Sequence, residues 1–193
     1  MAGRNAVIVS ITPRDQYRYG FELHLDRDTA LPLKSLLLND QGQLLERFQF
    51  TRLNTSVTPD DRDLQPTGDC TPIAVATAKT AEVQPTEEWH LEWLPPGFQL
   101  TNSSARKDTQ TKATVDSRMY EDGLARFSVF LEPISGASVT ETRTQLGPTV
   151  AVSRRLNTVD GEMMVTVVGE IPIGTAERLA LSVRVEKMPA AKP

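Results

Sequence analysis

The sequence predicts an α+β protein that is mainly β, in which two antiparallel sheet regions are followed by one helix near the C terminus. Apolar residues recur at every second position over long stretches, which is the period of a half-buried strand. The period changes to that of a helix only after Pro172. Residues 55–88 lack both aromatic residues and periodicity, so they predict a linker. The expected division is a first region at 1–54, this linker, a second domain at 89–187 and a tail at 188–193.

The first region is predicted to hold about four strands in meander order. Val7, Val9 and Ile11 recur at period two until Pro13 ends the first strand. The stretch DQYRYGFELHLDRD then places five apolar side chains on one face of a second strand: Tyr17, Tyr19, Phe21, Leu23 and Leu25. The segment DRDTALP turns the chain, and a hairpin around residues 40–42 supplies the last two strands.

This first sheet is predicted to be incomplete as a domain. About fifty residues bury too small a fraction of their surface to be stable alone. An apolar face beside an open strand edge also invites association with another chain. We therefore expect a missing N-terminal half, a second copy of the chain or a partner to complete the sheet. The opening MAGRNAVIVSIT lacks the ordered regions of an export signal, so the sequence alone predicts a cytoplasmic protein or a fragment of a longer one.

The second region opens with aromatic residues around a rigid corner. Trp89 and Trp93 precede the run PPG at 95–97, which cannot lie inside a helix or a central strand. A strand resumes at Phe98 and is followed by a predicted polar loop at 103–114. Aromatic rings in such a place either seed the core of a domain or anchor a partner. We favour core seeding, and partner anchoring by Trp93 and Phe98 is the alternative.

Two hairpins and one helix are predicted in the rest of the second region. Asp122-Gly123 predicts a tight hairpin turn, because both central residues of such a turn need a positive φ. Asp160-Gly161 lies in the connection of the second hairpin. Thr175 is the expected N-cap of the helix. The helix should pack on the sheet through Ala176, Leu179, Ala180 and Val183. The second domain is thus predicted as five or six antiparallel strands covered by one helix.

Residues that usually carry catalysis or bind metals are scarce. His24 and His90 fall in different regions, and no spacing of His, Cys, Asp or Glu is typical of a metal site. Cys70 is the only cysteine; we favour an inert loop thiol, and pairing with a cysteine outside this sequence is the alternative. The net charge of −4 is spread along the chain without a basic stripe. We therefore expect no enzymatic activity, no cofactor, no metal and no nucleic acid.

Two surfaces remain as candidates for binding. The apolar face of the first sheet is either core or a cradle for an acyl chain. The predicted lipid-binding residues are Tyr17, Tyr19, Phe21, Leu23 and Leu25. Arginines on strands of the second domain are either solvated charges or ligands for an acidic peptide or a phosphorylated headgroup. Arg118 and Arg126 flank the Asp122-Gly123 turn and are expected to lie near each other. The predicted partner-binding residues are Trp93, Phe98, Arg118, Tyr120, Arg126, Arg154 and Arg155.

Three blocks of the second region resemble the C-terminal domain of the RseB/MucB family. They are WLPPGF at 93–98, MYEDGLARFSVF at 119–130 and VTVVGEIPIGTAERLALSV at 165–183. The first 54 residues resemble the last strands of that family's N-terminal domain, which looks like the lipoprotein carriers LolA and LolB and forms an unclosed β-barrel. Family members carry a signal peptide and a complete N-terminal domain. The resemblance therefore implies that this sequence is the distal part of a longer protein.

The resemblance implies a periplasmic regulator without enzymatic activity. Such proteins bind the periplasmic part of a membrane-spanning anti-sigma factor, RseA or MucA, and shield it from site-one proteolysis. They release it when lipid or lipopolysaccharide signals arrive, which frees an envelope-stress sigma factor of the type that controls alginate production. The lipid cavity would be only partly present here, and Cys70 would lack an upstream partner. The alternatives are a lipid or lipoprotein carrier of the cell envelope, a homo-oligomer that completes the half sheet, and a remnant without function.

Overall fold

A computed structural model describes residues 2–58, 60–66, 68, 88–108, 112–134, 140–159 and 161–186. Within these ranges the chain forms three antiparallel sheets and one α-helix. The expected α+β, mainly β, fold with unclosed sheets is confirmed. Cys70 and Asp160, for which the sequence made predictions, lie outside the described residues.

The N-terminal sheet has four strands in the spatial order β1-β2-β3-β4. They are β1 (Ala6–Ile11), β2 (Gly20–Asp26), β3 (Pro32–Leu38) and β4 (Leu44–Gln49). Each strand pairs antiparallel with its sequence neighbour, so the predicted meander is confirmed. The Asn39 side chain closes the predicted β3–β4 hairpin by accepting hydrogen bonds from the N–H groups of Gln41 and Gln43, at 3.0 and 2.8 Å. A 3-10 turn at Asp61–Leu64 lies in the described part of the predicted linker.

The second strand begins later than predicted, and Tyr17 and Tyr19 lie outside it. The Asp15 carboxylate accepts a hydrogen bond from the Tyr17 N–H at 3.0 Å, and this local turn takes the two tyrosines off the strand. The three later apolar residues share one face of β2: Phe21, Leu23 and Leu25. The prediction of one continuous five-residue face is therefore wrong for the tyrosines and confirmed for the other three.

The C-terminal body comprises a six-stranded sheet, a two-stranded ribbon and the helix α1 (Ile173–Ser182). The sheet has the order β6-β7-β8-β11-β10-β9, with β6 (Gln99–Lys107), β7 (Thr114–Glu121), β8 (Arg126–Pro133), β9 (Thr142–Leu146), β10 (Thr149–Thr158) and β11 (Gly161–Gly169). The ribbon pairs β5 (Glu88–Leu91) with β12 (Val183–Glu186). Six strands and one helix agree with the predicted architecture, although β9 and β12 were not predicted.

The core of the C-terminal body lies between α1 and one face of the six-stranded sheet. Alternating residues of the central strands are fully or nearly fully buried in it: Phe127, Val129, Leu131, Val165 and Val167. The helix contributes three of the predicted stripe residues, Ala176, Leu179 and Ala180, and packs over β10 and β11. Trp89 and Phe98 belong to the same cluster and are 2% and 4% exposed. Core seeding by these two rings is therefore confirmed.

Gly169 marks the closest approach between β11 and β8. A Cβ atom at this position would lie 2.5 Å from the Cβ of Phe127 and 2.6 Å from the carbonyl oxygen of Arg126. Backbone atoms cannot yield as a flexible side chain can, so only glycine fits without a shift of the strands. This position explains why the apolar alternation of β11 ends in a glycine.

Three local predictions are wrong. Residues 103–107 continue β6 rather than forming a loop, because an exposed edge strand carries polar residues and shows no apolar alternation. Glu121 pairs with Arg126, so the first hairpin has a four-residue connection instead of a two-residue turn. Within this connection only Gly123 has a positive φ, of +95°. The Asp122 carboxylate accepts hydrogen bonds from the N–H groups of Leu124 and Ala125. Thr175 is buried inside α1, where Pro172 occupies the N-cap position without a side-chain hydrogen bond. The second hairpin is confirmed, since Thr158 pairs with Gly161.

Candidate binding site between the two sheets

Three consecutive residues between β1 and β2 connect the N-terminal sheet to the C-terminal body. We name Tyr17–Tyr19 the 17–19 segment. The hydroxyl of Tyr19 donates a hydrogen bond to the carbonyl oxygen of Ile171 at 2.9 Å, in a buried position. Burial, assisted by the negative charge of Asp40, raises the pKa of the Tyr19 hydroxyl above its ordinary value. The hydroxyl therefore stays protonated and acts as the donor.

Arg18 makes the central contacts of the 17–19 segment. Its guanidinium group forms an ion pair with the nearly buried carboxylate of Asp122 and donates a hydrogen bond to the carbonyl oxygen of Pro96 at 2.6 Å. The same group lies 5.0 Å from the ring centre of Phe98, within the range of a cation–π contact. Arg18 therefore joins the predicted aromatic corner to the first hairpin of the C-terminal body.

Tyr17 completes a stack of one cation and two rings. Its ring meets Trp93 edge to face, with the centroids 5.0 Å apart. The guanidinium of Arg178, on α1, lies 3.9 Å from the ring centre of Trp93 and donates a hydrogen bond to the Tyr17 hydroxyl at 3.0 Å. Trp93, which the sequence proposed as a partner anchor, is therefore engaged within the chain by Tyr17 and Arg178.

A cleft of about 450 Å³ lies beside this stack, between the two sheets. The N-terminal side contributes Tyr17, Tyr19, Asp40 and Leu45 to its lining. The C-terminal side contributes Gln145 of β9 and the first residues of α1, together with Arg178. The lining mixes apolar and polar groups and carries charges of both signs, from Asp40 and Arg178.

One face of the N-terminal sheet is apolar, and paired residues of β1 and β2 form most of it. Val7 pairs with Leu25, Val9 with Leu23 and Ile11 with Phe21. The face is only partly covered among the described residues, since Val7 is 49% and Phe48 is 52% exposed. Three of the five predicted lipid-binding residues thus lie together on this face, whereas Tyr17 and Tyr19 contact the C-terminal body instead.

The seven predicted partner-binding residues do not form one surface. Phe98 and Tyr120 lie in the core, 4% and 6% exposed, so burial disfavours a direct contact role for either. Arg118 lies on the core side of β7, where its guanidinium is 4.1 Å from the ring centre of Trp89. Arg118 pairs with Val129, and Arg126 pairs with Glu121. The expected proximity of Arg118 and Arg126 is therefore wrong, because the connection has four residues instead of two.

The two remaining arginines lie on opposite faces of β10, as neighbours in a strand must. Arg154 is half-buried and lines a groove of about 370 Å³ between β9 and α1, together with Arg143 and Leu181. Arg155 is exposed, with its guanidinium 3.6 Å from the Glu162 carboxylate. Arg126, Arg154 and Arg155 thus stay predicted contacts on the exposed or half-exposed surface.

Sequence reasoning missed the residues that connect the two sheets. Arg18 and Arg178 occupy polar positions of their own segments, where solvation is the ordinary expectation. Their partners are 104 and 85 residues away in sequence, respectively Asp122 and Trp93. No local pattern encodes such pairs. The sequence offered one signal for the corner, the density of aromatic side chains around the PPG run.

A buried carboxylate organises the N-terminal sheet. Asp26 accepts hydrogen bonds from the N–H groups of Asp28 and Thr29, at 3.0 and 2.9 Å, and forms an ion pair with Arg4. The hydrogen bond from Arg4 is the main cause that holds the pKa of Asp26 well below its usual range. Although Asp26 opens the segment that turns the chain after β2, its side chain is 1% exposed.

The described residues form no group of three or more His, Cys, Asp or Glu side chains able to hold a metal ion. In the same part of the chain, no helix has both the length and the apolar character needed to cross a membrane. The described residues form three candidate binding surfaces: a partly covered apolar sheet face, arginine-lined strands and a cleft between two sheets. Such surfaces are typical of proteins that bind other molecules.

Sequence comparison gives the family. The model of the MucB/RseB C-terminal domain matches residues 83–184, and that of the MucB/RseB N-terminal domain matches residues 1–68. The chain belongs to the MucB/RseB family. It is 60% identical over 186 residues to the sigma factor AlgU regulatory protein MucB of Pseudomonas aeruginosa, covering 96% of this chain and 58% of that protein. It is 28% identical over 187 residues to the sigma-E factor regulatory protein RseB of Escherichia coli K12, covering 95% and 56%.

Solved structures of MucB share the fold. A complex of Pseudomonas aeruginosa MucA and MucB superposes with a TM-score of 0.84 at 59% identity, covering 97% of this chain and 62% of that chain. MucB in complex with MucA(peri) gives the same score and identity, covering 97% and 65%. A crystal structure of MucB gives a TM-score of 0.62 at 56% identity, covering 96% and 60%. The chain thus spans about three fifths of the length of the relatives that it matches.

Proposed function

We propose that this protein is a periplasmic regulator of an envelope-stress sigma factor of the AlgU type. It binds the periplasmic domain of a MucA-type anti-sigma factor and shields that domain from proteolysis. The observation that carries this proposal is the match, at 59% identity and over 97% of the chain, to MucB in complex with MucA. The relatives are named as regulatory proteins, which supports a role without catalysis.

The partner segment is proposed to lie on the C-terminal body. Arg126, Arg154 and Arg155 set its position, because guanidinium groups pair with acidic side chains through two parallel hydrogen bonds. The half-buried Arg154 lies beside the edge strand β9, whose five residues are all exposed. An extended segment can add to such an edge through main-chain hydrogen bonds.

Lipid sensing is proposed for the apolar face of the N-terminal sheet. Phe21, Leu23 and Leu25 form this face with the apolar residues of β1, and part of it is exposed. Transport of lipids or lipoproteins is the rival function for the same surface. A regulator is expected to bind the anti-sigma factor, whereas a lipid or lipoprotein carrier is not.

Calorimetric titration of this chain with the periplasmic domain of Pseudomonas aeruginosa MucA tests the proposal. A regulator binds this domain in the micromolar range or tighter, which corresponds to about −8 kcal/mol or below. A parallel titration with a fluorescent fatty acid tests the rival. Acyl-chain binding by a folded chain that gives no heat with MucA would reject regulation and favour carriage.

A further inference from the structure

We propose that the 17–19 segment is a latch between the two sheets. Its contacts fix the N-terminal sheet on the C-terminal body, and their closure sets the affinity for the partner segment. The second half of this inference rests on the proposed function. The first half concerns the fold alone and is measurable without any partner.

Three consecutive residues of the latch make three different kinds of contact with the C-terminal body. Tyr17 packs on Trp93 and accepts a hydrogen bond from Arg178, Arg18 pairs with Asp122, and Tyr19 donates to the carbonyl of Ile171. The Asp15 turn takes these residues off the strand and so frees their side chains to contact the other body. Together the three residues contact the aromatic corner, the first hairpin, α1 and the segment that precedes α1, so they restrain both the distance and the rotation between the sheets.

The contacts of the 17–19 segment are directional and mostly polar. All members of the hydrophobic core cluster of the C-terminal body lie within residues 89–185. The cluster includes no described residue of the N-terminal sheet. The two sheets therefore do not share that core. Interfaces of this kind between parts of one chain open at modest free-energy cost. Such an interface allows an open arrangement beside the closed one.

The solved relatives differ in shape. This chain superposes better on the two MucA-bound structures than on the structure of MucB, although identity and coverage are nearly the same. The difference is therefore one of shape rather than of sequence. If the partner prefers the closed arrangement, closing the latch and binding the partner must favour each other reciprocally.

The test compares two arginine variants of the same region. Arg178→Ala removes the cation from Trp93 and the donor from Tyr17. Arg184→Ala is the matched control, because Arg184 is an exposed arginine of β12 that pairs with Glu92 at 2.7 Å, outside both the latch and the proposed partner surface. A pair of spin labels, at Glu46→Cys and Asn157→Cys in a Cys70→Ser background, reports the distance between the two bodies. Titration with the Pseudomonas aeruginosa MucA periplasmic domain reports the affinity.

We expect a broader distance distribution and about tenfold weaker MucA binding for Arg178→Ala, and no change for Arg184→Ala. Tyr17→Phe, which removes a single hydroxyl, should show a smaller loss in the same direction and guards against misfolding of the alanine variant. A distribution unchanged by Arg178→Ala would overturn the latch, whether or not MucA binds. A broader distribution with unchanged MucA affinity would overturn the coupling. Absence of MucA binding by the parent chain would instead reject the proposed function.

Discussion

The guanidinium of Arg178 lies 3.9 Å from the ring centre of Trp93, and the Tyr17 hydroxyl accepts a hydrogen bond from the same group. One helix residue of the C-terminal body thereby connects the aromatic corner to the segment that precedes β2. Arg178 is exposed and Trp93 is half-buried, so the pair lies at the surface of the C-terminal body, where Tyr17 contacts both residues. The relationship makes Trp93 an internal contact and explains why a large ring follows the ribbon strand β5.

Loss of Asp122 should destabilise the chain more than loss of an ordinary surface acid. Asp122 pairs with Arg18 and also accepts two backbone N–H groups of its own hairpin, and its side chain is 7% exposed. We expect Asp122→Ala to lower the free energy of unfolding by about 2–4 kcal/mol, measured by urea titration. Glu92→Ala, which removes an exposed partner of Arg184, should cost at most about 1 kcal/mol. Equal effects of the two substitutions would contradict this account of Arg18.

Gly169 and Gly174 should respond to alanine with opposite signs. At Gly169 the new Cβ would collide with the backbone of β8, at 2.6 Å from a carbonyl oxygen. We expect Gly169→Ala to cost about 2–4 kcal/mol of unfolding free energy. At Gly174, in the first turn of α1, a new Cβ meets nothing within 4 Å. Gly174→Ala should therefore raise stability by about 0.5–1 kcal/mol, and thermal melts of both variants distinguish the outcomes.

Phe98→Ala separates the two interpretations of the aromatic corner. Because Phe98 is a core residue, its truncation to alanine should lower the free energy of unfolding by about 3–5 kcal/mol. Leu100, two positions along on β6, is 50% exposed, so Leu100→Ala should change stability by less than about 0.5 kcal/mol. A stable Phe98→Ala variant that loses only partner binding would favour the anchor interpretation.

Acid should weaken the N-terminal sheet through Asp26. Its folded-state pKa lies below its unfolded value, so the stabilisation is complete above the unfolded pKa and is lost as the pH falls towards the folded one. We expect the free energy of unfolding to fall below about pH 4, and Asp26→Asn to remove part of this dependence. Asp28→Asn is the control, because the Asp28 side chain is 82% exposed. An identical acid slope for the Asp26 variant and the parent chain would refute this role.

Alternation and turn residues predicted the fold well where burial is one-sided. The strand pattern of Phe127, Val129 and Leu131 matches their burial, and the four-strand meander follows from the same signal. Edge strands such as β9 escaped prediction, because all five of its residues are exposed and leave no apolar period. The first hairpin was mistaken because the Asp122 side chain, rather than a second positive φ, closes the turn.

The candidate site was predicted only in part, for a physical reason. Period-two patterns identify a face, and Phe21, Leu23 and Leu25 indeed share one. They do not show when a local turn removes Tyr17 and Tyr19 from that face. Contacts such as Arg18 with Asp122 depend on how two sheets are placed, which no short segment encodes.

Hydrogen–deuterium exchange of this chain, with and without the Pseudomonas aeruginosa MucA periplasmic domain, tests the account most directly. Binding on the C-terminal body with a closed latch predicts slower amide exchange in β9 and β10 and across residues 15–20. Exchange rates that do not change anywhere in the chain at saturating MucA domain would contradict a partner-holding function.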